Sequence, residues 1–86
     1  MENAKYILEL LDKNEICFIE TERDILTIAY KKFFRPDKEY LFVLNGKATD
    51  SCKGRKTASK KIEKYIAQGF VIAEDYKEEY IENQTI

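Results

Sequence analysis

Ile25-Leu26-Thr27-Ile28-Ala29-Tyr30-Lys31-Lys32-Phe33-Phe34, then Arg35-Pro36-Asp37-Lys38, then Tyr40-Leu41-Phe42-Val43-Leu44 is the stretch that decides the fold. Its first part is rich in β-branched and aromatic residues, and Leu26, Ile28 and Tyr30 alternate against Thr27 and Lys31, the period of a strand with one buried face. Pro36 stands where a type I turn wants φ of about −65°, with Asp37 after it, so the chain is expected to reverse and return as a strand from Tyr40 to Leu44. Upstream, Ile16-Cys17-Phe18-Ile19 is a short apolar run between Glu15 and Glu20, and Thr21-Glu22-Arg23-Asp24 makes a turn. Three consecutive strands with short connections predict an antiparallel meander that Asn45-Gly46 brings to an end.

Helices flank that sheet. Ala4, Ile7, Leu8 and Leu11 recur at i, i+3, i+4 and i+7, which predicts a helix over about 3–13 with Asn3 as its cap and Asn14 closing it. Residues 47–57 read as a basic loop. Ala58, Ile62, Tyr65 and Ile66 then predict a helix over about 57–68, with Gly69 at its C-terminal cap and Phe70 folding back on the last turn. Val71-Ile72-Ala73 is a short extended segment, and Asp75 with Glu78 forms a capping box for a final short helix carrying Tyr76, Tyr80 and Ile81. The expected fold is α+β in the order α-β-β-β-α-α, a three-stranded antiparallel sheet packed on helices, one domain over 1–86. Ile16, Phe18, Leu26, Ile28, Tyr40, Phe42 and Leu44 are its core candidates, covered by Ile7, Leu8, Leu11, Ile62 and Ile66.

At 86 residues and 44% hydrophobic, the chain can build one small core. It contains no histidine, so within the chain there is no Ser-His-Asp or Cys-His dyad, no His-ligated zinc and no imidazole pH switch. Cys17 and Cys52 are too few for a disulfide scaffold and belong to no C-x-x-C pair. No enzymatic activity, cofactor or metal is expected. The one exception is an active site shared in an oligomer that uses Cys52 beside Lys53 and Arg55, where the neighbouring cations would lower the thiol pKa. Met1-Glu2-Asn3-Ala4-Lys5 carries acid where a signal peptide needs positive charge, and no stretch approaches about 18 apolar residues, so a cytoplasmic protein without membrane contact is expected.

Charge is segregated along the chain: residues 1–24 carry −4, residues 25–64 carry +7 and residues 65–86 carry −4. Lys31, Lys32, Arg35, Lys53, Arg55, Lys56, Lys60, Lys61 and Lys64 are therefore candidates for a cationic surface that displaces counterions from phosphates. The competing reading makes Lys60, Lys61 and Lys64 the solvated face of an amphipathic helix. Gly54-Arg55-Lys56-Thr57 has the flavour of a phosphate loop, but Gly46 and Gly54 stand eight apart and Arg55 precedes Lys56, so the G-x-x-x-x-G-K-S/T spacing is not met. The acidic C-terminal stretch interleaves Glu74, Asp75, Glu78, Glu79 and Glu82 with Tyr76 and Tyr80, a composition suited to a protein partner with a basic surface, or equally to a solvated helix face.

Gly69-Phe70, Glu78-Glu79-Tyr80 and Gln84-Thr85-Ile86, together with the order of elements, resemble the small type II-A anti-CRISPR proteins of phages and mobile elements, single α+β domains that block an RNA-guided Cas nuclease. The resemblance implies an inhibitor whose Glu78, Glu79 and Glu82 mimic nucleic acid toward the arginines that read a PAM. Two expectations stand side by side: a non-enzymatic protein-binding domain, with a Cas nuclease as the implied partner, and a nucleic-acid-binding accessory module built on the basic middle segment.

Overall fold

The structure, a computed structural model, describes residues 3–35 and 38–73, with the side chains of residues 32–38 outside that description. Its elements are α1 (Ala4–Asn14), β1 (Ile16–Glu20), β2 (Ile25–Arg35), β3 (Lys38–Leu44), β4 (Lys47–Cys52), α2 (Arg55–Ala67) and β5 (Val71–Ile72). The strands form one antiparallel sheet in the order β4-β3-β2-β1-β5.

The meander β1-β2-β3 follows the sequence pattern, with Ile28 facing Cys17 on one side and Phe42 on the other, and Arg35 paired with Lys38 across the reversal. The sheet has five strands rather than three because it continues past both ends of the meander. Asn45-Gly46 does not end it: φ values of 50° and 86° at these two residues make a two-residue hairpin that returns the chain as β4, with Leu44 opposite Lys47. Lys-Ala-Thr-Asp-Ser-Cys carries no two-residue apolar period because β4 is an edge strand, exposed over Lys47–Thr49 and bulged where Phe42 faces Asp50 and Val43 faces Ala48. At the opposite edge, Val71-Ile72 pairs with Glu20 and Ile19 of β1.

Asn3 caps α1 as expected, accepting from the Tyr6 amide at 2.8 Å, but Glu15 at φ 64°, not Asn14, closes the helix, its amide donating to Leu11 O at 2.9 Å. The α2 helix begins two residues earlier than its apolar spacing suggests, because Gly54 at φ 89° turns the chain straight into it. Its end matches expectation: Gly69 sits at φ 103°, the Phe70 amide donates to Tyr65 O at 3.1 Å, and the Phe70 ring meets Tyr65 edge-on at 5.4 Å. The expected final helix lies outside the described residues.

Both helices pack on the same face of the sheet. Ile7, Leu8, Leu10 and Leu11 of α1 and Ala58 and Ile62 of α2 join Cys17, Ile19, Leu26, Ile28, Tyr40, Phe42 and Ile72 in one buried cluster, with Tyr30, Leu44, Tyr65 and Ile66 at its border. One expectation is reversed in β1. Ile16 and Phe18 were candidates for the core, yet Cys17 and Ile19 are fully buried and Ile16 and Phe18 lie on the other face. Four successive apolar residues carry no parity of their own, and pairing with β2 sets it.

Asn45 ties two ends of the sheet together. Its side chain accepts from the Ile25 amide at 2.9 Å and donates to Asp24 Oδ1 at 2.8 Å, while its own amide donates to Ile25 O at 2.8 Å. Asn45→Ala removes both side-chain bonds and puts alanine at a positive φ that asparagine tolerates better. The expected cost is about 2 kcal/mol, read as a lower midpoint in urea with an unchanged slope, and Asn45→Gly should lose less.

Candidate functional site

The basic residues do not gather on one surface. Lys56, Lys60 and Lys64 stand at i, i+4 and i+8, so they form a stripe along one side of α2, all exposed, with exposed Lys53 before the helix. Lys5, Arg55, Lys56 and Lys60 surround Leu8, Ser59 and Glu63 in a groove between the two helices. Arg55 and Lys61, however, are neutralised. Arg55 Nη1 donates to both Asp12 carboxylate oxygens at 3.0 and 2.9 Å, clipping the start of α2 to the end of α1, and Lys61 Nζ meets Asp50 Oδ2 at 2.7 Å, clipping α2 to β4. Hydrogen bonding from Lys61 holds the Asp50 carboxyl below its ordinary pKa, and the same bond raises that of Lys61. Both pairs are substantially exposed and each contributes at most about 1 kcal/mol. Exposed Lys31 follows the core-packed Tyr30 in β2 and so projects to the side of the sheet away from α2. Lys32 and Arg35 belong to β2 with their side chains outside the described set.

The α2 stripe runs against helix electrostatics. Its first turn has Arg55 and Lys56 but no acid and no side-chain cap, and the like charges at i and i+4 repel. An anion beside this helix would relieve both costs.

The thiols are packing groups. Burial pushes the Cys17 thiol up to about 12, and burial likewise raises Cys52, outweighing the lowering effect of Lys61. Within the single chain Lys53 and Arg55 do not activate Cys52, whose side chain turns inward to the core beside Tyr40. Both thiols are therefore expected to resist iodoacetamide at pH 7.5 in the native protein and to react on denaturation. Since the folded pKa is raised, the protonated thiol stabilises the fold below pH 9, and that contribution is lost progressively as pH climbs from 9.0 toward about 12. From neutral pH upward, a stability profile flat to about pH 9 and falling above it is the expected result.

The feature with no counterpart in the expected site lies on the other side of the sheet. Row by row, Phe18, Thr27, Val43 and Ala48 face one another across four strands, as do Ile16, Ala29, Leu41 and Ser51, and Val71, Glu20 and Ile25 make a third row. On this face small Thr27 and Ala29 of β2 stand between the larger Phe18 and Ile16 of β1 and Val43 and Leu41 of β3. Ile25 is 52% exposed, Val71 48% and Ile16 36%. Neither helix covers this face. Known protein families, characterised proteins and solved structures contain no match to this chain. The chemistry of its two surfaces therefore carries the functional argument.

The apolar character of this face was partly legible: Leu41-Phe42-Val43-Leu44 is apolar at both parities, the pattern of a strand that meets apolar neighbours on both faces. Glu74, Asp75, Tyr76, Glu78, Glu79, Tyr80 and Glu82, the acidic surface expected to meet a protein, lie outside the described residues. Among the described residues no group of His, Cys, Asp and Glu could hold a metal ion, and no helix is long and apolar enough to cross a membrane.

Proposed function

We propose that this chain is a non-catalytic protein-binding domain of the cytoplasm that meets another polypeptide through the apolar face of its sheet. The observation that carries the reading is that face: three large aliphatic side chains more than a third exposed, continuous with half-buried Leu41 and Val43, on the side away from both helices. Exposed aliphatic side chains gathered on one face of so small a domain favour contact with another polypeptide, and aliphatic and aromatic groups are the composition of an interface centre. The inhibitor of a defence nuclease implied by the anti-CRISPR resemblance is one member of this class, and its acidic C-terminal residues would add charge complementarity to a basic target.

The test is affinity capture with three forms of the chain. Ile25→Glu with Val43→Glu should lose the bound protein by tenfold or more, about 1.4 kcal/mol or above, while Lys56→Glu, Lys60→Glu and Lys64→Glu together retain it. Equal capture by all forms would sink the proposal. One observation favours a second reading, nucleic-acid binding: the three exposed lysines of α2 stand in a row without an acidic partner among the described ion pairs. Binding to single- and double-stranded DNA and RNA across a salt series tests it, because phosphate neutralisation by three lysines weakens as roughly the third power of salt concentration.

A further inference from the structure

The outer face of the sheet is self-complementary in charge, and we infer that the polypeptide it meets is a second copy of this chain, held face to face about a two-fold axis that runs across the strands. This rests on the reading of that face as a polypeptide contact surface and names its partner.

Charge at the two ends of the face carries the argument. Glu20 shares the outward row of Ile25 and Val71, so it closes one end of the apolar rows. Lys31 projects to the same side from β2, six residues beyond Ile25, and closes the other. Between them stand the rows of Phe18, Thr27 and Val43 and of Ile16, Ala29 and Leu41, which contain no charged side chain. At the rise of a strand the two ends are about 20 Å apart. Glu20 is half-buried and Lys31 exposed, and neither belongs to an ion pair among the described residues.

A face with an acid at one end, a base at the other and apolar groups between is matched by itself turned end for end. A two-fold axis along the strands would set Glu20 over Glu20 and Lys31 over Lys31, like charge against like. An axis across the strands reverses their direction instead. Each Glu20 then lies over the Lys31 end of the second copy, one strand spacing or about 5 Å to the side, within reach of a lysine side chain. Centred halfway between the charged ends, the same operation lays the Phe18 row of each copy over the Ile16 row of the other, and the two sheets stay nearly aligned, as packed sheet faces do. The interface is isologous, so the Glu20–Lys31 match occurs twice.

Area sets the strength. Four strand spacings by six residues is a footprint of about 19 by 20 Å, roughly 400 Å² in projection and below the roughly 800 Å² per partner of a standard interface. The dimer is therefore weak and reversible. Its charged pairs lie at the rim, where they fix orientation more than affinity.

Sedimentation velocity of the full chain between about 10 μM and about 1 mM tests the inference, with Glu20→Lys and Lys31→Glu as variants. Expected is a concentration-dependent rise toward the dimer for the unaltered chain, and a dissociation constant weaker by about fivefold or more for each variant alone. An equimolar mixture of the two variants should recover the unaltered association, because every altered end then meets its opposite. Amide shifts of the buried residues Ile28 and Phe42 should stay in place in both variants and show that they are folded. A chain that remains monomeric to the highest concentration would overturn the inference. Association that survives Ile25→Glu with Val43→Glu would overturn it too, by placing the contact elsewhere, and so would failure of the mixture to recover. If the chain is monomeric yet captures a different protein that Ile25→Glu with Val43→Glu releases, the second copy falls and the protein-binding reading stands.

Discussion

Phe42→Ala is expected to cost about 3–5 kcal/mol, a large share of the roughly 4–13 kcal/mol that a domain of this size holds. Phe42 is fully buried in the central part of the sheet, opposite Ile28 on β2 and Asp50 on β4, and its ring lies over Tyr65 of α2 with centroids 6.0 Å apart. Alanine there removes the ring that joins sheet to helix and leaves a cavity between two rigid layers that cannot fully close. Urea denaturation followed by far-UV circular dichroism checks it. Phe42→Leu, which keeps most of the volume, should lose markedly less, and equal losses for the two variants would mean that Phe42 does not sit at the junction.

Ile19→Asp should be at least as damaging, and Ile25→Asp should not. Ile19 is fully buried between Leu26 of β2 and Ile72 of β5, so a carboxylate there is desolvated without a partner, a loss of about 4 kcal/mol or more when added to the missing aliphatic contact. Ile25 faces the other way and is 52% exposed, where a carboxylate keeps its water. One-dimensional proton NMR separates the outcomes: collapse of upfield methyl signals for Ile19→Asp, and a dispersed native spectrum for Ile25→Asp.

The contrast between these residues shows how far the sequence can be read. In β2 the alternation of Leu26, Ile28 and Tyr30 with Thr27 and Lys31 places the buried face correctly, because polar residues mark the other side. In β1 the run Ile16-Cys17-Phe18-Ile19 has no such marker, and only pairing with β2 decides that Cys17 and Ile19 go inward. The edge strand β4 was hidden for a related reason: Lys47 to Thr49 face solvent, so its sequence looks like a loop, and the hairpin signal Asn45-Gly46 is ambiguous between ending a sheet and extending it. The same ambiguity affected the site. The lysines of the middle segment were visible as residues, but their spread over α2 and the far side of β2, and the capture of Arg55 and Lys61 by Asp12 and Asp50, are long-range facts that charge counting along the chain does not contain. The apolar face is likewise a property of four strands in register.

The central claim is that the sheet divides the molecule's work, one face holding the helices and the other meeting a polypeptide. Photo-crosslinking tests it most directly: a diazirine amino acid is placed at position 25, at the rim of the apolar face, or at position 60, in the middle of the lysine stripe, and cells producing each form are irradiated. The account predicts one discrete protein adduct from position 25 that is lost with Val43→Glu, and little from position 60. Nucleic-acid adducts from position 60 with no protein adduct from position 25 would contradict it.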